Sequence, residues 1–327
     1  MRARALASLV SAALLVFLVP PLLGSDGSGG GGSDIPGLRF MVPNEPGGGY
    51  DITARTAARA AEEAELTGGI EVFNLPGAGG TVGLSHLVAE RGNGRLAMSM
   101  GLGVVGAVHT NHTGVTLADT TPLVRLTEEP DIVVVPADSP YEDIDDLLAD
   151  WRANPGSLPL GGGSSPGGPD HLAAMLTAGA AGVTPAAANY IAYDGGGELL
   201  AAILGGEVAF GVSGVGEYLD QIEAGELRVL AVTGGERAPG IDAPTLTEAG
   251  LDVDFTNWRG IVAPPGLSEA ERDRLIALFT ELHDSRPWQD ALERNGWADA
   301  FMTGDAFGDF LESQNRRVDD TLRELGL

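Results

Sequence analysis

Four glycine-rich segments carry the residues of this chain that are best suited to bind a small molecule. Two lie in the first half and two in the second, and within each half they stand about thirty residues apart. Glycine has no Cβ, so a ligand can approach the backbone closely, and positive φ angles cost it little. The segments are PGGGYD (46–51), GAGG (77–80), PGGPDH (166–171) and YDGGGE (193–198).

Each segment stands at the start of a stretch that predicts a helix, and a helix start favours an anion. The first four N–H groups of a helix have no partner within it, and the peptide dipoles place about half a positive charge there. A tight connection explains a glycine at any single strand-to-helix turn equally well. Four such turns at matched positions favour one shared cleft at the carboxyl edge of the strands.

The anion is predicted to be a carboxylate, and no cofactor is expected. A Walker A phosphate loop requires a lysine, and all 19 basic residues of this chain are Arg. The segment GAGGTVG has Val82 where a dinucleotide-binding fingerprint has its last glycine. Backbone donors can still bind a carboxylate, at about 1.5 to 3 kcal/mol per hydrogen bond.

Several side chains beside the glycines are candidate ligand contacts with competing roles. Asp51 and Asp170 stand where helix N-caps belong, so capping competes with ligand contact at both positions. Asp194 can accept from a ligand hydroxyl or ammonium group, or fix its own turn. The Tyr50 side chain can line a binding pocket or pack in the hydrophobic core. Ser164 and Ser165 offer hydroxyl groups.

A serine hydrolase is the alternative function. GSSPG (163–167) matches the G-x-S-x-G pattern, with Ser165 as the nucleophile and His171 as an available base. The residue after the nucleophile should donate its N–H to the oxyanion, but Pro166 has none. The pattern is therefore a weaker prediction than ligand binding.

No metal site and no other catalytic group is predicted. His109 and His112 have the spacing of two metal ligands on one helix face. No neighbouring acidic residue or third histidine completes a set. The chain has no cysteine.

The elements that would position these residues alternate between strand and helix. The runs LRFMV, IEVFN and RLAMSM are separated by helical stretches, and the rhythm restarts at DIVVVP after a break at Glu129 and Pro130. Residues 35–127 with 256–327 are predicted to form one lobe and residues 128–255 another. Two hinge crossings, near 126–131 and 250–257, would join them. SEAE (268–271) predicts a capping box that opens a helix.

The first 34 residues predict export. Two arginines, an apolar run from 5 to 23 and a Gly/Ser tract are typical of a signal followed by a spacer. The run approaches membrane-spanning length, so an uncleaved anchor stays open. Both alternatives place the rest of the chain outside the cytoplasm. The formal net charge of −27 argues against nucleic acid and anionic membrane surfaces as partners.

The glycine segments and the later part of the chain resemble a known family. Over about residues 38–318 the sequence is similar to the extracytoplasmic substrate-binding proteins of tripartite tricarboxylate transporters, the Bug or TctC type. The motifs are PGGGYDITAR (46–55), NLPGAGGTVG (74–83), GGGSSPGGPDHL (161–172), YDGGGE (193–198), LRVLAVTGGER (227–237) and NWRGIVAPPG (257–266).

This resemblance implies an α/β, two-lobed periplasmic-binding-protein (Venus flytrap) fold, with a mainly parallel sheet flanked by helices in each lobe. It implies a receptor, not an enzyme, that delivers a small di- or tricarboxylate to a two-component membrane permease. A sensor for a signalling partner would share the fold and the ligand. With the side chains above, the predicted substrate-binding set is Gly47, Gly48, Gly49, Tyr50, Asp51, Gly79, Gly80, Ser164, Ser165, Gly168, Asp170 and Asp194.

Overall fold

The computed structural model describes residues 34–324 and 326. The predicted export signal or anchor and nearly all of its spacer therefore lie outside the described residues. Across residues 34–324, no helix has both the length and the apolar character needed to cross a lipid bilayer.

Ten strands form one continuous sheet among the described residues. The order is β2-β1-β3-β9-β4-β7-β5-β6, and β8 and β10 also pair with β4. The strands are β1 (Arg39–Val42), β2 (Glu71–Asn74), β3 (Leu96–Gly101), β4 (Thr121–Pro136), β5 (Pro159–Gly162), β6 (Asn189–Ala192), β7 (Phe210–Gly214), β8 (Leu227–Val232), β9 (Thr256–Ala263) and β10 (Ala298–Thr303).

Helices connect the strands and cover the sheet. They are α1 (Gly49–Glu63), α2 (Thr81–Ala89), α3 (Leu102–Thr110), α4 (Ile144–Ala153), α5 (Pro169–Ala180), α6 (Gly196–Leu204), α7 (Leu219–Glu223), α8 (Glu269–Asp284), α9 (Arg286–Asn295) and α10 (Gly304–Glu324). The predicted capping box is present, because the Ser268 hydroxyl and the Glu271 carboxylate each accept the other's backbone N–H at the start of α8.

The architecture is the predicted two-lobed α/β fold with a mixed sheet. The first lobe contains the parallel strands β2-β1-β3, and the second lobe contains the parallel strands β6-β5-β7. The strands β4, β8, β9 and β10 pair antiparallel to their neighbours. Only the outer three strands of each lobe therefore follow the mainly parallel pattern that the sequence predicts.

Strand β4 joins the two lobes without a break. Its residues 121–130 pair with β9 of the first lobe, and residues 131–136 pair with β7 and β8 of the second. The predicted interruption at Glu129 and Pro130 is wrong. Pro130 lies opposite Thr256, at the end of the β9 pairing, where a missing N–H costs least.

Buried apolar side chains hold the helices against each lobe. In the first lobe, Phe40 of β1 stacks on Phe279 of α8 with ring centroids 5.8 Å apart. In the second lobe, Trp151 of α4 meets Phe210 of β7 edge-on at 5.1 Å. The four ring-bearing residues are almost fully buried. This packing fixes the strand ends, and hence the glycine turns that follow them.

Candidate functional site

A cavity of about 370 Å³ lies between the lobes at the ends of β1, β5 and β6. Nine of the twelve predicted residues line it, and they come from both lobes. They are Gly49, Tyr50, Gly79, Gly80, Ser164, Ser165, Gly168, Asp170 and Asp194. The four glycine segments therefore converge, although Gly47, Gly48 and Asp51 lie outside the lining.

Asp51 stabilises its loop from inside the helix. Helix α1 has Gly48 as its N-cap, so Asp51 is a first-turn residue and the predicted capping position is wrong. Its carboxylate accepts the Gly47 N–H at 2.9 Å, the Asn74 Nδ2 at 2.9 Å and the Arg55 Nε at 2.9 Å. Burial opposes ionisation, but these bonds outweigh it and lower the pKa of Asp51.

Asp170 plays the matching part in the second lobe. Helix α5 has Gly168 as its N-cap, so Asp170 is also a first-turn residue, and its carboxylate accepts the Gly163 N–H at 2.6 Å. Its own N–H donates to the Ser164 hydroxyl at 3.1 Å. Unlike Asp51, Asp170 lines the cavity, and burial raises its pKa to about 6.

The glycines of α1 leave room for neighbouring side chains. A Cβ on Gly49 would collide with the guanidinium group of Arg259, and one on Gly48 would collide with the Asn44 amide. In the turn before α2, Gly79 and Gly80 have φ angles of 63° and 95°, which favour glycine. Close approach of the chain to itself therefore explains part of the glycine pattern.

The serine-hydrolase geometry is not assembled in the described residues. Ser165 lines the cavity, but it has no hydrogen bond to His171. The His171 Nδ1 accepts the Gly167 N–H at 3.2 Å, and burial lowers the pKa of this histidine to about 4. Its ring packs edge-on against Tyr190 at 4.7 Å.

The two spaced histidines do not share a helix face. Helix α3 ends at Thr110, so His109 lies on it and His112 lies beyond it with a φ of 50°. His109 contacts Asn315 of α10 through Nε2 at 3.0 Å. Within the described part of the chain, no group of three or more His, Asp or Glu residues has the arrangement of a metal site.

A charged cluster that the sequence did not predict lies beneath the cavity. Arg259 of β9 forms an ion pair with Glu129 of β4, and their side chains are 3% and 1% exposed. Asp131 of β4 and Glu217, in the turn after β7, complete the cluster. Arg259 and Glu217 also line the cavity. Ionisable residues inside or beside apolar strands, as in EEPDIVVV and NWRGIVA, were the available signal.

Burial and mutual repulsion shift the cluster's pKa values. Burial, followed by the nearby Asp170 carboxylate, raises the pKa of Glu217 to about 8. The same two causes raise the pKa of Asp131 well above its ordinary value. The pKa of Arg259 is raised, because its carboxylate neighbours outweigh burial. Tyr50 reaches a pKa of about 12 through burial, and its hydroxyl accepts the Val104 N–H at 3.3 Å.

Residues 44–327 match the family model of the Tripartite tricarboxylate transporter family receptor. The chain belongs to this receptor family. A relative from Pseudomonas sp. strain P51, the UPF0065 protein of the tcbD-tcbE intergenic region, is 30% identical, and the match covers 86% of this chain and 83% of that protein.

Two solved structures similar to this receptor contain carboxylates. MatC from Rhodopseudomonas palustris, with bound malate, has a TM-score of 0.77 at 22% identity, covering 87% of this chain and 98% of that one. Rpa4515 from R. palustris, with adipate, has a TM-score of 0.79 at 24% identity, covering 88% and 97%. At these identities the likeness shows the shared fold.

Proposed function

We propose that this receptor captures a small carboxylate, of the di- or tricarboxylate class, in the cavity between its lobes. The observation that carries the proposal is the convergence of glycine turns from both lobes on one cavity. The malate and adipate bound by proteins of the same fold support the ligand class.

Helix starts supply the donors in this proposal. Helices α1 and α5 begin at residues lining the cavity, and α2 begins directly after Gly80. The first N–H groups of a helix have no carbonyl one turn earlier within it. At the start of α5, however, Pro169 has no N–H and the Asp170 N–H donates to the Ser164 hydroxyl, so α1 and α2 are the main sources of donors. The turn at Gly79 and the hydroxyl of Ser165 approach each other from opposite lobes, since a Cβ on Gly79 would lie 3.8 Å from the Ser165 side chain. A carboxylate bound to both lobes would favour their closed arrangement.

The closed receptor would deliver its ligand to a two-component membrane permease outside the cytoplasm. The family provides the basis for this partner and location. The arginines and apolar run of the first 34 residues support export, either with a cleaved signal or with a retained anchor.

Thermal denaturation of the purified protein against matched acids and amides tests the proposal. Malate, succinate, glutarate, adipate and citrate are compared with their amides. Ligand at about a hundred times Kd should add about 2.7 kcal/mol to the free energy of unfolding. A midpoint shift with an acid and none with its amide is expected. Equal shifts with acid and amide would contradict carboxylate recognition.

A further inference from the structure

Two carboxyl groups in the wall of the cavity share one serine hydroxyl. The Ser213 hydroxyl of β7 is hydrogen-bonded to the Glu217 Oε2 at 3.4 Å, and it also hydrogen-bonds the Asp170 carboxyl group. Asp170 and Glu217 both line the cavity. A hydroxyl has a single hydrogen, so it donates to one carboxylate only. Both bonds are made together only when one of the two carboxyl groups is protonated and donates to the serine oxygen.

The charges around this pair favour the same proton. Asp170 and Glu217 repel each other and are repelled by Glu129 and Asp131 of the buried cluster, whereas Arg259 forms its ion pair with Glu129. Four carboxyl groups thus surround one guanidinium group. Full ionisation would leave three uncompensated negative charges in one region of the protein. Neighbouring carboxylates with so little solvent cannot all be ionised, because like charges and burial both oppose it.

The other titratable groups that face the pair carry no charge near neutral pH. Burial raises the pKa of the phenol groups of Tyr50, Tyr190 and Tyr218 above the ordinary value, so they stay protonated. Burial lowers the pKa of His171 of α5 to about 4, so its imidazole is neutral as well. Among the described residues of the cavity lining, Arg259 is therefore the single source of positive charge.

The pair lies where a bound anion would meet it. A Cβ on Gly196 would collide with the Glu217 carboxyl group, which therefore lies against the first turn of α6, beside the lining residues Asp194 and Gly195. Glu217 is half-buried, and Asp170 lies in the first turn of α5. An anion that enters a cleft poor in water makes nearby carboxyl groups harder to ionise.

Building on the proposed function, we infer that Asp170, Ser213 and Glu217 form a proton switch, through which the receptor takes up a proton from solvent when a carboxylate enters the cavity. The added proton removes one negative charge opposite the ligand. At higher pH the proton returns to solvent, and the ionised pair repels the ligand. The ligand-bound state holds the proton more tightly, so the affinity for the ligand falls as pH rises.

The competing explanation is a fixed protonation state. If the pair holds the same number of protons with and without ligand, binding moves no proton between the protein and solvent. The affinity would then change with pH only through the titration of the ligand itself. The two explanations predict different proton counts for the same ligand.

Calorimetric titration of the purified protein in phosphate and in Tris counts the protons, because these buffers differ in ionisation enthalpy. The titrants are malate, succinate, glutarate, adipate and citrate at pH 7.5. We expect proton uptake of at most about one per ligand, and a Kd that rises by up to about tenfold per unit between pH 7 and 9. Binding with no uptake, or with proton release, would overturn this inference and leave the proposed function standing. No binding by any of the five acids would contradict the proposed function itself.

Neutral variants assign the proton to the pair. Glu217→Gln keeps the shape of the protonated group and cannot ionise, so it should bind the same acid more tightly than the wild type at pH 9 and take up fewer protons. Asp170→Asn should also reduce the uptake, and it keeps the test decisive if the first variant fails to fold. Glu223→Gln is the matched control with wild-type uptake, since Glu223 is exposed on α7 and lies outside the cavity lining.

Two results with these variants would overturn the inference. One is wild-type proton uptake in both Glu217→Gln and Asp170→Asn, because the proton would then bind elsewhere. The other is weaker binding by folded Glu217→Gln than by the wild type at pH 9, because the ionised carboxylate would then assist the ligand.

Discussion

The guanidinium group of Arg259 on β9 forms a buried ion pair with the Glu129 carboxylate on β4. Glu129 also accepts the Gly216 N–H of the second lobe. One carboxylate therefore connects the strand that crosses between the lobes, the strand that returns to the first lobe and the turn after β7. This connection lies directly beneath the cavity.

Replacing Arg259 with methionine should destabilise the protein strongly. The variant Arg259→Met leaves Glu129 as an uncompensated buried charge, which costs about 3 to 5 kcal/mol. The measurement is urea denaturation. Arg286→Met is the matched control, because Arg286 is 89% exposed and lies 3.6 Å from its partner Asp290. This substitution should lower the free energy of unfolding by less than about 1 kcal/mol. Equal losses of unfolding free energy in the two variants would show that the buried ion pair stabilises the protein no more than the exposed one.

Gly49→Ala should disturb Arg259. The new methyl group would collide with the guanidinium group, and overpacking of this kind costs about 1 to 3 kcal/mol. The matched control is Gly197→Ala in α6, where an added Cβ meets nothing within 4 Å. That change should be neutral or stabilise the helix by up to about 1 kcal/mol. The measurement is urea denaturation. If Gly49→Ala is as stable as Gly197→Ala, the packing of Arg259 does not require a glycine at position 49.

The stability of the ligand-free protein should fall as pH rises, with Glu217 as a main cause. Burial, reinforced by Asp170, raises the pKa of Glu217 from 4.5 to about 8, with Glu129 adding to the shift and Arg259 opposing it. The folded state therefore binds the proton more tightly than the unfolded state. The free energy of unfolding decreases between about pH 4.5 and 8, by at most about 1.4 kcal/mol per pH unit for this group.

Glu217→Gln should reduce that slope. Urea denaturation of the wild type and the variant between pH 5 and pH 8 gives the comparison. Glu223→Gln should retain the wild-type slope, because Glu223 is exposed. Parallel pH profiles for the wild type and Glu217→Gln would contradict the account of this carboxyl group.

Ser165→Ala should weaken ligand binding, and we expect neither the wild type nor this variant to hydrolyse an ester. One hydrogen bond to a charged ligand contributes at most about 3 kcal/mol. The Kd should therefore rise by no more than the factor that corresponds to this loss of binding free energy. Calorimetric titration measures the change, and an ester substrate tests turnover in parallel. Ester hydrolysis by the wild type that disappears in Ser165→Ala would instead favour the hydrolase alternative.

The sequence predicted most of the secondary structure and the convergence of the glycine turns. Local patterns explain this success, because strand runs, turn glycines and the capping box at Ser268 depend on neighbouring residues. One strand prediction failed, and one strand was not foreseen, both for a non-local reason. The runs on either side of Pro130 belong to one strand, since partners from both lobes extend it. β10 was not predicted, and its pairing with β4 joins residues about 175 positions apart.

The buried cluster could not be derived from local patterns. Glu129 and Arg259 are 130 residues apart in the chain, and their contact depends on the pairing of β4 with β9. Asp131 and Glu217 are also two of 46 acidic residues, so nothing in the composition distinguished them from the others. The sequence predicted Asp170 as a site residue because it lies beside a glycine turn. Its proximity to the buried cluster could be seen only in the folded structure.

The most direct test of the central claim is a calorimetric titration that blocks the cavity. Ala192 lines the cavity at the end of β6, and Ala187 is an exposed residue before the same strand, outside the lining. The titrant is the acid that gives the largest thermal shift. We expect Ala192→Trp to abolish its binding and Ala187→Trp to retain the wild-type Kd. Wild-type binding by Ala192→Trp would place the carboxylate elsewhere and contradict the account.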